Sequence, residues 1–390
     1  MNRVTALPQL SLYVHLPWCV RKCPYCDFNS HALKTSLPER EYVDALLRDL
    51  DLDLPRVSGR CIETVFFGGG TPSLFSAEAI ARLLDETRQR ISFAAGCEIT
   101  LEANPGTVEH GRFAEYKAAG ITRLSIGVQS FDPQQLEKLG RIHSTDEAVR
   151  AAEEAHAAGL DNFNLDLMYG LPGQTLAQAE ADVRSAIALA PAHLSHYQLT
   201  LEPNTLFYAQ PPSLPEEDSI WAMQQGCQSL LEDNGYLQYE ISAYARSGRQ
   251  CLHNLNYWRF GDYLGIGAGA HGKLTDTDGS RWRLWKVRHP ASYLRDAGSP
   301  AGIGGVNVVT ATELGFEFML NRLRLMAGFT EAEFAIGTGQ DFDSVRPSVE
   351  RAVVLGLLAG TGDGGWRVTD RGHAYLNELQ QLFLPAAGKS

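Results

Sequence analysis

Cys19-Val20-Arg21-Lys22-Cys23-Pro24-Tyr25-Cys26 sets three cysteines within eight residues, directly after a β-rich run at 12–16. Thiolates are soft ligands suited to iron–sulfur chemistry, and a tight loop can turn all three toward one cubane. A fourth cysteine at ligand spacing is missing. A [4Fe–4S] cluster held by three thiolates keeps one iron for a non-protein ligand, unlike an electron-transfer ferredoxin. A structural zinc site would need His15 or His31 as its fourth ligand, and neither stands at zinc-knuckle spacing. Three unrelated buried cysteines would not gather in one turn beside Pro24 and Tyr25. The cluster is therefore the expected occupant, held by Cys19, Cys23 and Cys26.

The remaining composition bounds the class. With 390 residues, 44% hydrophobic and 21% charged, the chain reads as a globular protein of one large domain plus an appendage. A formal charge of −12 argues against nucleic acid or an anionic membrane as a general partner. No transmembrane-length apolar run and no signal-peptide pattern at 1–10 are evident, so a cytoplasmic protein without an integral membrane segment is expected. Three of the seven cysteines share one turn, which is no disulfide framework. Cys61, Cys97 and Cys227 are expected as small buried hydrophobes.

Strand and helix patterns then alternate. A helix capped by Ser36, strands at 62–67, 98–102, 121–129, 163–169 and 194–201, and helices at 76–93, 144–158 and 176–189 are predicted. Six strands, each followed by a helix, imply a parallel sheet with right-handed crossovers. Near-continuous apolar strands fit a barrel or partial barrel with function at its carboxyl edge. A doubly wound sheet is the alternative, but Gly68-Gly69-Gly70 lacks the spacing of a dinucleotide fingerprint.

The cysteine spacing, with Tyr25 before the last cysteine, resembles the signature of the radical S-adenosylmethionine (SAM) superfamily. The wider string Tyr13-Val14-His15-Leu16-Pro17-Trp18-Cys19 is similar to the oxygen-independent coproporphyrinogen III oxidases and their haem-chaperone relatives, the HemW family. That resemblance implies an α/β fold: a partial (β/α)6 barrel at 1–205, a connecting region at 206–305, and a small winged-helix-like domain at 306–390. It implies SAM on the open iron. The implied SAM set is Gly69, Gly70 and Thr71 in the glycine-rich turn, Glu102, Gln129, Arg141 opposite the SAM carboxylate, and Asp166 for the ribose. Tyr13 and Tyr25 would pack beside cluster and cofactor, or serve as ordinary core aromatics.

Past 201 the rhythm breaks into a proline-rich loop, a helix at 216–234 and a short strand at 238–241. Cys251-Leu252-His253-Asn254-Leu255-Asn256-Tyr257-Trp258 follows. Without the family it reads as a loop packing two aromatics, with His253 as a hydrogen-bonding residue. The resemblance to the HemW motif His-Asn-x-x-Tyr-Trp implies haem binding through His253, Asn254, Tyr257 and Trp258, with imidazole as an axial ligand. The glycine-rich run 264–272 is expected near the cofactor mouth. Helices at 312–327 and 349–358 and the run 366–372 belong to the appendage, expected to act as a lid or packing module.

Two functions of different class compete. A coproporphyrinogen dehydrogenase would use SAM to decarboxylate two propionates, whereas a chaperone would pass haem to an acceptor protein, membrane-associated acceptors included. The dehydrogenases carry a further cysteine where this chain has Phe28, and a longer segment before the first strand. These departures and the His253 motif favour the chaperone. No catalytic residue is assigned, and a radical enzyme acting on RNA lacks an RNA-binding element.

Overall fold

The computed structural model describes residues 7–34, 36–107, 112–362 and 364–385. Its frame is a twelve-stranded sheet. The strands are β1 (Leu10–Leu16), β2 (Ile62–Gly69), β3 (Phe93–Ala103), β4 (Arg123–Gln129), β5 (Phe163–Tyr169), β6 (His193–Gln198), β7 (Leu237–Glu240), β8 (Ala243–Ala245), β9 (Asp262–Ile266), β10 (His271–Thr275), β11 (Arg281–Lys286) and β12 (Ile303–Val308). Their spatial order is β12-β11-β10-β9-β1-β2-β3-β4-β5-β6-β8-β7. Strands β1 to β6 run parallel, as the alternation predicts. The sheet does not close, because β7 and β12 form its two free ends.

Helices α1 (Glu39–Asp53), α2 (Ala77–Arg90), α3 (Arg112–Ala118), α4 (Thr145–Ala157), α5 (Leu176–Ala188) and α6 (Glu217–Asp233) separate the successive strands. Local chemistry fixes several of their starts. Ser76 Oγ accepts from Ala79 N at 3.2 Å, and Ser144 with Glu147 and Thr175 with Gln178 form reciprocal capping boxes. The Ser36 cap is a correction: α1 begins after Pro38 with no side-chain cap. Glu39 instead accepts from the backbone and hydroxyl of Ser76, tying α1 to α2.

Two further differences matter for the site. A seventh parallel strand, β9, lies beside β1 and overlaps the start of the stretch read as a glycine-rich mouth. Its Asp262 carboxylate pairs with Lys273 at 3.0 Å and Arg60 at 2.9 Å, all three side chains being buried. The strands also alternate rather than run apolar throughout. Leu124, Ile126 and Val128 join the main core, while Arg123, Ser125, Gly127 and Gln129 face a central cavity. The concave side of the open sheet is a polar lumen, so only the helix-facing side needs apolar residues. Among the spare cysteines Cys227 is buried, but Cys61 is exposed just before β2, a correction, and Cys97 is half-buried.

After β12 the chain builds a separate core. With the helix between β8 and β9 numbered α7 (Leu252–Trp258), the elements after β12 begin with α8 (Ala311–Arg322), β13 (Phe329–Thr330), α9 (Glu331–Thr338), α10 (Arg346–Val354), β14 (Leu358–Gly360) and β15 (Gly365–Val368). This helix–strand–helix–helix–strand–strand order, with β15 central in a three-stranded antiparallel sheet, is a winged-helix arrangement. Phe318, Phe329, Phe334 and Phe342 fill its core edge to face. Arg283–Glu317 at 2.7 Å and Arg324–Glu240 at 3.2 Å pin it to the main sheet.

Candidate cluster and cofactor site

The cysteine loop begins at the carboxyl end of β1. Two short strands, Trp18–Cys19 and His31–Ala32, pair across its base and close it. Gly70 N donates to Leu16 O at 2.8 Å and Thr71 N to Trp18 O at 2.7 Å, fastening the loop to the end of β2. Cys19, Cys23 and Cys26 are all half-buried and line one cavity of about 550 Å³. Burial raises the thiols of Cys19 and Cys26, the opposite of what an activated nucleophile needs. Neither histidine weighed for zinc is free: His15 pairs with Tyr13 OH at 3.0 Å and Asn29 O at 2.9 Å, and His31 Nε2 meets Asn29 Oδ1 at 3.3 Å. The donor set is three sulfurs on an open cavity, which fits a cubane with one open corner.

Glycines after β2 are required by packing. A Cβ on Gly69 would stand 2.6 Å from the His15 ring, and one on Gly70 would stand 2.5 Å from Trp18 O. Gly69 also has φ +119°, which glycine alone tolerates well. Backbone of the turn and side chain of Thr71 then reach the cavity wall.

Across from the thiols stands a pair of acids. Glu102 accepts from Gly69 N at 3.2 Å, and burial, with Asp166 adding to it, pushes its carboxyl up to about 8. Asp166 is also raised by burial, opposed by hydrogen bonds such as that from Asn164 Nδ2 at 2.8 Å. Among the described residues no cationic side chain forms an ion pair with Glu102. Arg123, buried in the same cavity, offsets Asp166 but not Glu102, so the Glu102 side favours a cationic ligand, and SAM carries both an ammonium and a sulfonium. Arg141 lies on the thiol side, donating to Cys23 Sγ at 3.6 Å and Gly127 O at 2.6 Å, while its buried Nε has no partner among the described residues. Gln129 lines the same cavity from a left-handed backbone, φ +70°, held by Asp182 contacts to Ser130 Oγ at 2.7 Å and Phe131 N at 2.6 Å. Tyr13 and Tyr25 both line it as well.

The His253 stretch forms α7 rather than a loop. Glu98 Oε1 accepts from Leu252 N at 2.9 Å and His253 N at 3.3 Å, capping the helix from β3. His253 is 1% exposed, and its two ring nitrogens meet Thr64 Oγ1 at 2.8 Å and Tyr257 OH at 2.9 Å. Burial, aided by Arg123, drives its pKa down to about 3, so the ring is neutral. Asn254 and Tyr257 face the cavity, whereas Trp258 stacks under Arg324, 4.4 Å from its ring centre. The motif thus presents no unengaged imidazole nitrogen.

Residues 13–186 match the model of the radical SAM superfamily, and residues 309–375 match the HemN C-terminal domain. The chain is 53% identical over 378 residues to the haem chaperone HemW of Escherichia coli strain K12, covering 97% of this chain and 99% of that one. This chain belongs to the HemW family of radical SAM proteins. Identity to HemW of Bacillus subtilis strain 168 is 34%, covering 96% and 99% of the two chains. Among solved structures, the coproporphyrinogen III oxidase HemN of Escherichia coli superposes with a TM-score of 0.82 at 23% identity, covering 97% of this chain and 90% of that one. The partial barrel with its C-terminal winged-helix domain is therefore the fold this family shares with HemN.

Within this HemW-family cavity lies a polar network that sequence reasoning did not single out. Asn164 Oδ1 accepts from His193 at 2.7 Å and Ser195 at 3.0 Å, Asn164 Nδ2 donates to Ser125 at 2.8 Å, and His193 Nε2 pairs with Tyr239 OH at 2.8 Å. It supports Asp166 from beneath. The signal was present as polar residues every second position: Arg123, Ser125; Asn164, Asp166; His193, Ser195.

Proposed function

We propose that this chain is a haem chaperone, which binds haem and passes it to an acceptor protein. Its full-length 53% identity to a haem chaperone carries the reading. Cys19, Cys23 and Cys26 would hold the [4Fe–4S] cluster, and SAM would occupy the cavity against Gly69, Gly70, Thr71, Glu102, Gln129, Arg141 and Asp166. When bound, the cluster supplies an iron site for the amino and carboxylate groups of SAM and a source of one electron. The chain's own residues do the rest. Glu102 offers a carboxylate toward the ammonium group, Asp166 an acceptor for ribose hydroxyls, and Arg141 a spare donor beside Cys23. Tyr13 and Tyr25 wall the cavity from water.

None of the seven cysteines is paired in a disulfide, which supports the cytoplasm as its location. No helix among the described residues is long and apolar enough to cross a membrane. The test supplies reductant, SAM and coproporphyrinogen III anaerobically, and in parallel offers haem-loaded protein to an apo-haem acceptor. Haem transfer without protoporphyrinogen formation is expected. Protoporphyrinogen formation would select the dehydrogenase.

A further inference from the structure

A second cavity of about 710 Å³ opens beside the first, within the usual ~300–1,000 Å³ of cofactor sites. Tyr13, Phe28, Gly69, Glu102 and Tyr257 border both. Its outer wall is the hairpin β10–β11, and its far side is reached by Asn321 of α8. Phe28, Tyr257, Trp258, Phe260, Tyr263 and Trp285 give it an aromatic lining. Phe28, next but one after Cys26, is 60% exposed although it is large and apolar.

Four histidines border the two cavities, and three are already committed. His15 pairs with Tyr13 and Asn29, His193 with Asn164 and Tyr239, and His253 with Thr64 and Tyr257. His271 differs. It is exposed, lies against Trp285 with ring centres 6.2 Å apart and planes 21° from parallel, and neither ring nitrogen hydrogen-bonds any described residue. Partial burial lowers its pKa, with Arg288 and Arg283 adding to the effect, a direction that favours the neutral imidazole, the form that ligates metal.

The cations sort in the same way. Lys273 is bound to Asp262 and Arg283 to Glu317 and Tyr263, so neither is free for a ligand. Arg288, exposed on the rim, has a guanidinium that makes no ion pair or hydrogen bond among the described residues. A wide aromatic slot, one open imidazole and one unpaired guanidinium match a flat metallated macrocycle that carries carboxylates.

We propose that this second cavity is the haem site: His271 ligates the iron, Arg288 pairs with a propionate, and Trp285 and Phe28 flank the macrocycle. The assignment rests on the haem-chaperone reading and names its site. Cavity sharing would then place the haem against the same Tyr257 and Glu102 that border the cluster cavity.

The test titrates the full chain with haem and, separately, with iron-free protoporphyrin IX, following the Soret band and quenching of tryptophan fluorescence. His271→Ala is expected to shift the Soret band and weaken haem binding at least tenfold while leaving protoporphyrin affinity within about twofold. Arg288→Glu is expected to weaken both ligands severalfold, because the propionates are common to them. Since both side chains are exposed, the variants should melt with the wild type, which a thermal scan checks. Haem binding by His271→Ala indistinguishable from wild type, or a Soret band lost in His253→Gln and kept in His271→Ala, would overturn the site and leave the chaperone reading intact. Absence of haem binding by the wild-type chain would overturn both.

Discussion

The two cavities share a wall yet are built by different means. The cluster cavity is the lumen of the open barrel, lined by every second residue of parallel strands and floored by the network Ser125–Asn164–Asp166–His193. Its polar groups are held by neighbours on adjacent strands, so it is preorganised and tolerates little change. The outer cavity lies where β9 to β11 meet α7 and the C-terminal domain, and its ligand-competent groups, His271 and Arg288, are exposed. The proposed assignments put a resident cofactor in the first and a cargo that must leave in the second. Binding sites on mobile or exposed elements release more readily because fewer contacts must break at once.

That contrast can be broken from either side. The largest effect is expected for Cys23→Ser, which should lose nearly all of the cluster absorbance and iron after anaerobic reconstitution while still taking up haem. Loss of both together would tie the two cavities into one site. Asp262→Ala comes next, since it strands buried Lys273 and Arg60 without a counter-charge. A loss of about 3–5 kcal/mol in chemical denaturation is expected, and a loss under 1 would mean β9 is not anchored by these pairs. Gly69→Ala should cost on the order of 3 kcal/mol, because its methyl meets the His15 ring and φ +119° suits no other residue. Unchanged stability there would show that His15 can yield.

Glu102→Gln sharpens the electrostatic half of the comparison. The wild-type carboxyl, pushed up to about 8 in the fold, ionises near 4.5 when unfolded. Between these values the native state holds the extra proton, so stability falls as pH rises and the penalty is complete above pH 8. The variant without cofactor is therefore expected to exceed wild type by roughly 4–5 kcal/mol at pH 9 and to match it near pH 4.5. It should also bind SAM more weakly. Equal stability at both pH values would remove Glu102 as a strained, ligand-ready acid.

Legibility followed the range of the forces involved. The strand at 163–169 and the Ser144 cap were readable because their signals are local: a β-rich run bounded by turn residues, and a hydroxyl three residues before its acid. The thiol loop was readable for the same reason. Helix α7 was not, since its cap is Glu98, a residue far away in sequence. Nor was β9, whose strand identity comes from pairing with β1. Its closing turn hides among glycines because a Cβ at Gly267 would stand 2.3 Å from His15 O. The polar lumen went unread because parallel strands were expected to be buried on both faces, whereas an open barrel around a ligand leaves one face polar. A motif string drew attention to His253, but only the hydrogen bonds distinguish a committed imidazole from the open one at His271.

Cys19, Cys23 and Cys26 would hold the cluster in the proposed reading, with one iron left for SAM. Electron paramagnetic resonance of the dithionite-reduced, reconstituted protein, with and without SAM, addresses this directly. With about four iron and four sulfide per chain, the account predicts that SAM changes the shape and position of the cluster signal. An identical signal in both samples, at full cluster loading, would contradict it.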